Sequence, residues 1–187
     1  MDMYTLKWTR LQSEIFRFLC IKAGEKINQR NIAKSLHVSP TSIAKSLPYL
    51  EKSSFIKINR NDKMNLNLIE FNRDNQNAID MKRVENLKMV YESGLVRFLT
   101  DALPGCSIIL FGSYSRGEDV LANEAEHKSD IDIAVIGTKN KEIDLTTFNK
   151  LLERTIILNF YLSFKEIHKH LRDNILNGIV LSGSVDL

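Results

Sequence analysis

Two short apolar stretches with polar residues at one end limit the folds that this chain can adopt. Ser107–Phe111 (SIILF) leads directly into Gly112-Ser113. Ile131–Ile136 is a second apolar stretch, and Asp130 and Asp132 lie at its start. Short apolar runs bounded by turn signals are typical of buried strands. The sequence therefore predicts two strands of one sheet, with these polar residues close to their ends.

The polar residues at these strand ends are suited to holding a phosphate and a metal ion. A glycine lets the backbone approach a phosphate because no Cβ is in the way. Ser113 adds a hydroxyl at the start of a predicted helix, where N–H groups point outward. Strand residues two apart share a face, so Asp130 and Asp132 should present both carboxylates on one side. Two carboxylates on a rigid strand, together with substrate phosphates, are typical Mg²⁺ ligands.

These motifs resemble a known family. FGSYSRGE followed by SDIDIAV is similar to the signature of the minimal nucleotidyltransferases of the DNA polymerase β superfamily, over about residues 74–176. The resemblance implies an α+β fold with a short mixed sheet flanked by helices. It also implies Mg²⁺-dependent transfer of a nucleoside monophosphate from an NTP, with ATP expected, to a hydroxyl. By resemblance, Gly112 and Ser113 bind the triphosphate, and Asp130 and Asp132 are the catalytic metal ligands.

Two further positions follow from the resemblance. Arg116 is predicted to contact phosphate, with a salt bridge as the alternative. The family usually has a third carboxylate on the next strand, which helps to deprotonate the acceptor hydroxyl. In TIILNFYL the matching position is predicted to be Asn159, whose amide cannot accept that proton. Glu153 and Asp144 are the alternatives if the strand is aligned in another register, so the sequence leaves activity open.

The N-terminal part of the chain has a different pattern. A helix is predicted over residues 6–23, followed by two short helices that Asn28 and Ser39 can cap, with Pro40 at the favoured first position of the second. Alternating apolar residues on both sides of a polar turn at 59–63 predict a β-hairpin. This order resembles a winged helix-turn-helix domain. It is predicted to span residues 1–72, with the nucleotidyltransferase-like domain at 73–187.

Charge separates the two predicted domains. Residues 1–70 hold twelve Lys/Arg and six Asp/Glu, which gives 12 − 6 = +6, and residues 71–187 give 14 − 17 = −3. A basic winged helix is expected to bind DNA phosphates, with a solvated basic surface or a protein-contact or dimerisation module as alternatives. The predicted DNA contacts are Lys34, Ser42, Lys45, Lys52, Arg60 and Lys63.

The remaining elements complete an alternating pattern. Residues 74–102 are predicted to form one long helix joining the domains, and its expected buried face includes Val84, Val90, Tyr91 and Phe98. Helices over 144–153 and 164–176 and a strand over 155–162 are expected to follow. No apolar run approaches the ~20 residues of a membrane span, and two cysteines far apart in sequence favour a reducing cytoplasm.

Two functions of different classes fit these observations. The first is a Mg²⁺-dependent nucleotidyltransferase with a DNA-binding winged helix, whose acceptor is a hydroxyl on nucleic acid or on a partner protein, as in antitoxin-like relatives. The second is a DNA-binding regulator whose degenerate transferase domain senses a nucleotide or holds a partner. A homodimer is compatible with either. The Gly-Ser and Asp-x-Asp motifs favour the enzyme, and Asn159 favours the regulator.

Overall fold

A computed structural model describes the chain over residues 8–61, 66–121 and 129–185. It has a mixed α+β architecture with one three-stranded and one four-stranded sheet. Each sheet has its own apolar core. No helix in the described ranges is long and apolar enough to cross a membrane.

The N-terminal elements follow the order of a winged helix. They are α1 (Arg10–Ile21), β1 (Ile27–Asn28), α2 (Gln29–Ser35), α3 (Pro40–Lys52), β2 (Ile56–Asn61) and β3 (Leu66–Phe71). Strand β3 lies between β1 and β2 and is antiparallel to both. Asn28 caps α2 and Ser39 caps α3, each through a side chain that accepts an N–H three residues on. The predicted winged helix is thus confirmed, and β1 is an addition to the prediction.

Aromatic packing holds this domain together. Phe16 on α1 is buried, and its ring lies 4.8 Å from Trp8 and 5.5 Å from Phe55. Pro48 lies inside α3 without ending the helix, which continues to Lys52. Proline removes one helical hydrogen bond, but Pro48 is exposed, so water can satisfy the freed carbonyl.

The second sheet and its helices form the C-terminal part. They are α4 (Gln76–Glu92), α5 (Leu95–Ala102), β4 (Ser107–Phe111), α6 (Gly112–Arg116), β5 (Ile131–Ile136), α7 (Thr146–Leu152), β6 (Ile156–Tyr161), α8 (Lys169–Leu176) and β7 (Ile179–Ser182). The strand order is β6-β5-β4-β7. Strand β4 is antiparallel to β5 and β7, whereas β5 and β6 are parallel. The sheet is therefore mixed, as the resemblance implied.

The two faces of this sheet are covered by different elements. Ile131, Ile133 and Val135 belong to a core that includes residues of α4 and α5. Ala134 and Ile136 face the opposite side, where α8 packs. Because side chains alternate along a strand, Asp132 lies on the α8 side of the sheet.

The single helix predicted over residues 74–102 is wrong, since α4 and α5 are separate. The chain turns at Gly94, whose φ of +79° favours glycine. The predicted buried face is also partly wrong, because Val84 and Tyr91 are 58% and 50% exposed. Helix α4 instead buries Lys82 and Asn86, both of which contact Asp119.

The end of the chain differs from the prediction too. Residues 164–176 were expected to be one helix, but a 3-10 turn at Phe164–Glu166 precedes α8. At Ile167 the backbone is extended, which separates the two segments. Strand β7 was not predicted, since it has only four residues.

Candidate functional site

Gly112 connects β4 to α6 in a conformation that requires glycine. Its φ is +78°, and a Cβ added there would lie 2.5 Å from Asp132 Oδ2. The two residues are close because Phe111 pairs directly with Asp132 across β4 and β5. The Asp132 carboxylate therefore lies against the bare backbone at the start of α6, so the strand register unites the two motifs.

Asp130 and Asp132 form an electrostatically strained pair. Both are half-buried, with Asp130 just before β5 and Asp132 within it. Burial raises the pKa of Asp132, and the charge of Asp130 raises it further. A cation bound between the carboxylates would relieve both effects, because it stabilises their charged forms. Two carboxylates beside an open backbone suit Mg²⁺, whose remaining ligands would be substrate phosphates and water.

The residues of α6 after Gly112 differ in whether they form hydrogen bonds with the protein. Ser113 is half-buried in the first turn, and its hydroxyl bonds to no protein group in the described part of the chain. Ser115 is buried and donates a hydrogen bond from Oγ to the Gly112 carbonyl, at 2.8 Å. Asn86 donates to the Tyr114 carbonyl at 2.9 Å. Helix α6 is thus bonded to α4 and to its own first residue, while the Ser113 hydroxyl stays available to a ligand.

Arg116 is exposed and already has two protein partners. Its Nε donates to Glu118 Oε2 at 2.7 Å, and its NH1 donates to Asn174 Oδ1 at 3.3 Å. These contacts match the salt-bridge alternative of the sequence analysis. A phosphate contact by Arg116 stays a prediction that would require these bonds to rearrange.

The strand register determines which residues of β6 lie beside Asp132, and the assignment of Asn159 as the third position stays a prediction. In the parallel pair, Asp132 lies opposite Ile157, whereas Asn159 lies opposite Ala134, one pair further on the same face. Ile157 is 38% exposed. Neither side chain is acidic, and no three His, Cys, Asp or Glu residues converge on a metal site in the described ranges.

The two alternative carboxylates have other contacts. Glu153 forms a salt bridge with Lys22 at 2.5 Å. Asp144 accepts the Thr146 N–H at 2.9 Å, and hydrogen bonds from Thr146 lower its pKa. Both carboxylates are therefore already bonded to other groups of the protein.

The predicted DNA contacts are spread over two helices and the hairpin. Lys34, Lys45 and Lys52 are exposed on α2 and α3. Ser42 is half-buried, with its hydroxyl 2.8 Å from that of Ser39. Arg60 is exposed and paired with Glu51 at 2.7 Å. The remaining one, Lys63, lies outside the described residues.

Sequence reasoning missed a buried ion cluster next to the site. Asp119 is 2% exposed and lies between the cations of Lys82 and Arg154. The sequence of α4 does contain a sign of this cluster. Lys82 and Asn86 follow Ala78 at intervals of four residues, and all three are buried on the same side of the helix. Charged and amide residues on such a stripe indicate a buried partner.

Comparison with known proteins agrees with this geometry. Residues 93–182 match the family model of the nucleotidyltransferase domain. No curated protein matches the chain.

Three solved structures resemble parts of the chain. A mutant of Lactococcus lactis ZitR has 18% identity and a TM-score of 0.41, over 55% of this chain and 66% of that one. The adhesin competence repressor AdcR from Streptococcus pyogenes has 16% identity and a TM-score of 0.38, over 55% and 69%. S. aureus MepR in complex with DNA has 18% identity and a TM-score of 0.37, over 51% and 78%.

At these TM-scores the likeness adds nothing to the winged-helix topology, which stands on the order of its elements. The nucleotidyltransferase match covers the strand that leads into Gly112 and the strand that carries Asp132. Residues 93–182 of this chain therefore form a nucleotidyltransferase domain, which follows an N-terminal winged helix.

Proposed function

We propose that the nucleotidyltransferase domain binds an NTP with Mg²⁺ at Gly112, Ser113, Asp130 and Asp132. It then transfers the nucleoside monophosphate to a hydroxyl on a protein or nucleic acid. ATP is the proposed nucleotide. The observation that carries this proposal is the contact of the Asp132 carboxylate with the bare Gly112 backbone, because it joins a phosphate cradle to a metal ligand.

Each residue has a distinct role in this proposal. Gly112 admits a phosphate oxygen close to the backbone, and the Ser113 hydroxyl donates a hydrogen bond to the same phosphate. Asp130 and Asp132 would hold Mg²⁺, which when bound offsets phosphate charge and orients the triphosphate for in-line displacement. The bonds that fix α6 keep this cradle in place before the nucleotide arrives.

Along the described strand β6, no carboxylate lies beside Asp132 to receive the acceptor proton. Ile157 offers no oxygen, and the Asn159 amide cannot act as a base. General-base assistance typically contributes about 10²–10⁴ in rate. Transfer is therefore expected to be slow, and its rate should rise with the ionisation of the acceptor.

A second candidate function follows from the same observation. With Ile157 beside Asp132, the domain could bind a nucleotide without transferring it. The chain would then be a DNA-binding regulator that senses nucleotide, with α3 of the winged helix in the major groove. The two functions share the binding site and differ in whether a covalent product forms.

Transfer to a labelled acceptor separates them. We expect incubation with α-labelled ATP, Mg²⁺ and host lysate to label one discrete protein or RNA slowly, and Asp130→Asn/Asp132→Asn to abolish that label. A labelled protein would identify the acceptor as a partner and support an antitoxin-like role. Nucleotide binding with no label on any acceptor would favour the regulator.

Substitutions on β6 test which position lacks the carboxylate. Ile157→Asp should raise transfer by up to about 10²-fold, since it places a carboxylate beside Asp132, while ATP affinity changes little. Ile157→Asn is the uncharged control and should give no gain. A larger gain from Asn159→Asp would support the sequence-based assignment. Fast transfer by the wild type, slowed by both aspartates, would show that the base lies elsewhere.

A further inference from the structure

The segment that follows α6 is anchored by a buried ionic cluster. Lys82 Nζ donates to the Asp119 carboxylate and, at 3.0 Å, to the Asp119 carbonyl. Arg154 NH2 donates to Asp119 Oδ2 at 3.0 Å. All three residues are at most 2% exposed. Two cations and one anion meet here, so the cluster carries an excess positive charge that water does not screen.

The cluster is bonded directly to the nucleotide-site helix. Asn86 Nδ2 donates to Asp119 Oδ1 at 2.7 Å and to the Tyr114 carbonyl of α6 at 2.9 Å. Gly117, which ends α6, lies so close to α4 that a Cβ would be 2.5 Å from the Ile79 carbonyl. There is no room for α6 to shift without moving α4 or Asp119.

The same cluster is bonded to the winged helix. Arg154 NH2 also donates to the carbonyl of Ile21, the last residue of α1, at 2.8 Å. Two residues after Asp119, the Leu121 N–H donates to the Ala23 carbonyl at 2.7 Å. A continuous chain of buried polar contacts thus runs from α6 through Asp119 and Arg154 to the end of α1.

Buried contacts of this kind are costly to separate. A group that moves away from a buried partner leaves that partner unsatisfied, at a cost of about 1–3 kcal/mol or more when it is charged. A shift of α6 on nucleotide binding would therefore be less costly if Arg154 and the end of α1 moved with it. Helix α1 packs against α3, the helix proposed to enter DNA.

We propose that the Asp119 cluster couples the nucleotide site to the winged helix, so that NTP·Mg²⁺ and duplex DNA change each other's affinity. The inference rests on the proposed binding of both ligands. Coupling of this kind is reciprocal, and it typically amounts to about 5–150-fold. An increase and a decrease in affinity would each support the proposal. The cluster determines whether the two sites are coupled, and the preferred positions of α1 determine the direction of the change.

Arg154→Met is the substitution that tests the connection. It removes the bonds to Ile21 and Asp119 but leaves Lys82 and Asp119 as a balanced pair. It also removes the buried Arg154 Nε, which has no hydrogen-bond partner in the described ranges. Lys22→Met is the matched control, because Lys22 bridges the same two regions through exposed Glu153, outside the cluster.

The experiment measures the Kd of the full chain for a DNA duplex that it binds, with and without saturating ATP·Mg²⁺. We expect a change of about fivefold or more in the wild type and in Lys22→Met. In Arg154→Met the change should fall below about twofold, while ATP and DNA each still bind. Equal coupling in Arg154→Met, or a wild-type change below about twofold with both ligands bound, would overturn the proposal.

Hydrogen exchange on the wild type gives a test that needs no variant. ATP·Mg²⁺ should alter amide protection at the end of α1 as well as in α6. Protection that changes in α6 alone contradicts the coupling but leaves the proposed function intact. If ATP fails to bind when measured alone, the proposed function is wrong and the coupling falls with it. If only DNA fails to bind, the coupling is wrong and the winged helix is a protein-contact module, while the proposed transfer still stands.

Discussion

At the scale of single residues, Asp132 occupies a position that destabilises the fold. Burial and the neighbouring Asp130 both raise its pKa, so its charged form is disfavoured in the folded protein. A raised carboxyl pKa means that the folded state holds more protons than the unfolded state. Stability therefore falls as the pH rises through the folded pKa. Such a cost is expected where a carboxylate serves to bind a cation.

Asp132→Asn should therefore stabilise the protein at neutral pH in the absence of Mg²⁺. We expect a higher Tm than the wild type at pH 7, and a gain that shrinks on acidification and disappears below about pH 3.9, where the unfolded carboxyl is also protonated. Thermal unfolding across this pH range is the measurement. Added Mg²⁺ should raise the wild-type Tm but not that of Asp132→Asn. A lower Tm of the variant at pH 7 would disprove the electrostatic strain.

The role of a single residue can be predicted from the sequence where it depends on its neighbours in the chain. Gly112 was singled out for close approach to a ligand, and its positive φ agrees with that requirement. The neighbour of Asp132 could not be predicted in the same way, because it depends on the register of β5 against β6. A register shift of two residues exchanges Ile157 for Asn159 on that face, and nothing within TIILNFYL fixes the register.

At the scale of elements, capping chemistry made the winged helix predictable. Asn28 and Ser39 accept N–H bonds at the starts of α2 and α3, and such caps can be read from sequence. Gly94 is hard to recognise as a break between helices, because apolar residues continue on both sides of it. Strand β7 is stabilised by pairing with β4, about seventy residues away in the chain, so its own four residues give little signal.

Helix α3 should make DNA affinity depend on salt. Removing one lysine that binds a DNA phosphate is expected to reduce the slope of log K against log salt by about 1. Lys45→Ala/Lys52→Ala should therefore weaken binding and reduce that slope by up to about 2. Fluorescence anisotropy with a labelled duplex at several salt concentrations is the measurement.

A matched control removes the same charge elsewhere. Lys88→Ala/Lys139→Ala alters two lysines of the C-terminal part and should keep the wild-type slope. Equal effects of the two double variants would mean that net charge alone attracts DNA. If the full chain shows no binding to any duplex at low salt, the winged helix would be a protein-contact module.

At the scale of the whole molecule, the two parts meet through residues that are distant in sequence. Ile21, Lys82, Asp119 and Arg154 converge although they span more than 130 residues. The spacing of residues within one element cannot predict this convergence. It indicates only that the element buries a polar residue, not which partner that residue contacts. The boundary predicted at residue 72 stays a prediction, and the contacts of Arg154 and Leu121 cross it.

Calorimetric titration of the full chain with ATP tests the central proposal most directly. We expect binding that requires Mg²⁺ and is lost in Asp130→Ala/Asp132→Ala, because the carboxylates hold the ion that joins the triphosphate to the Gly112 cradle. Circular dichroism should confirm that the double variant stays folded. Equal ATP affinity of the wild type and the folded double variant, or affinity independent of Mg²⁺, would contradict the proposed site.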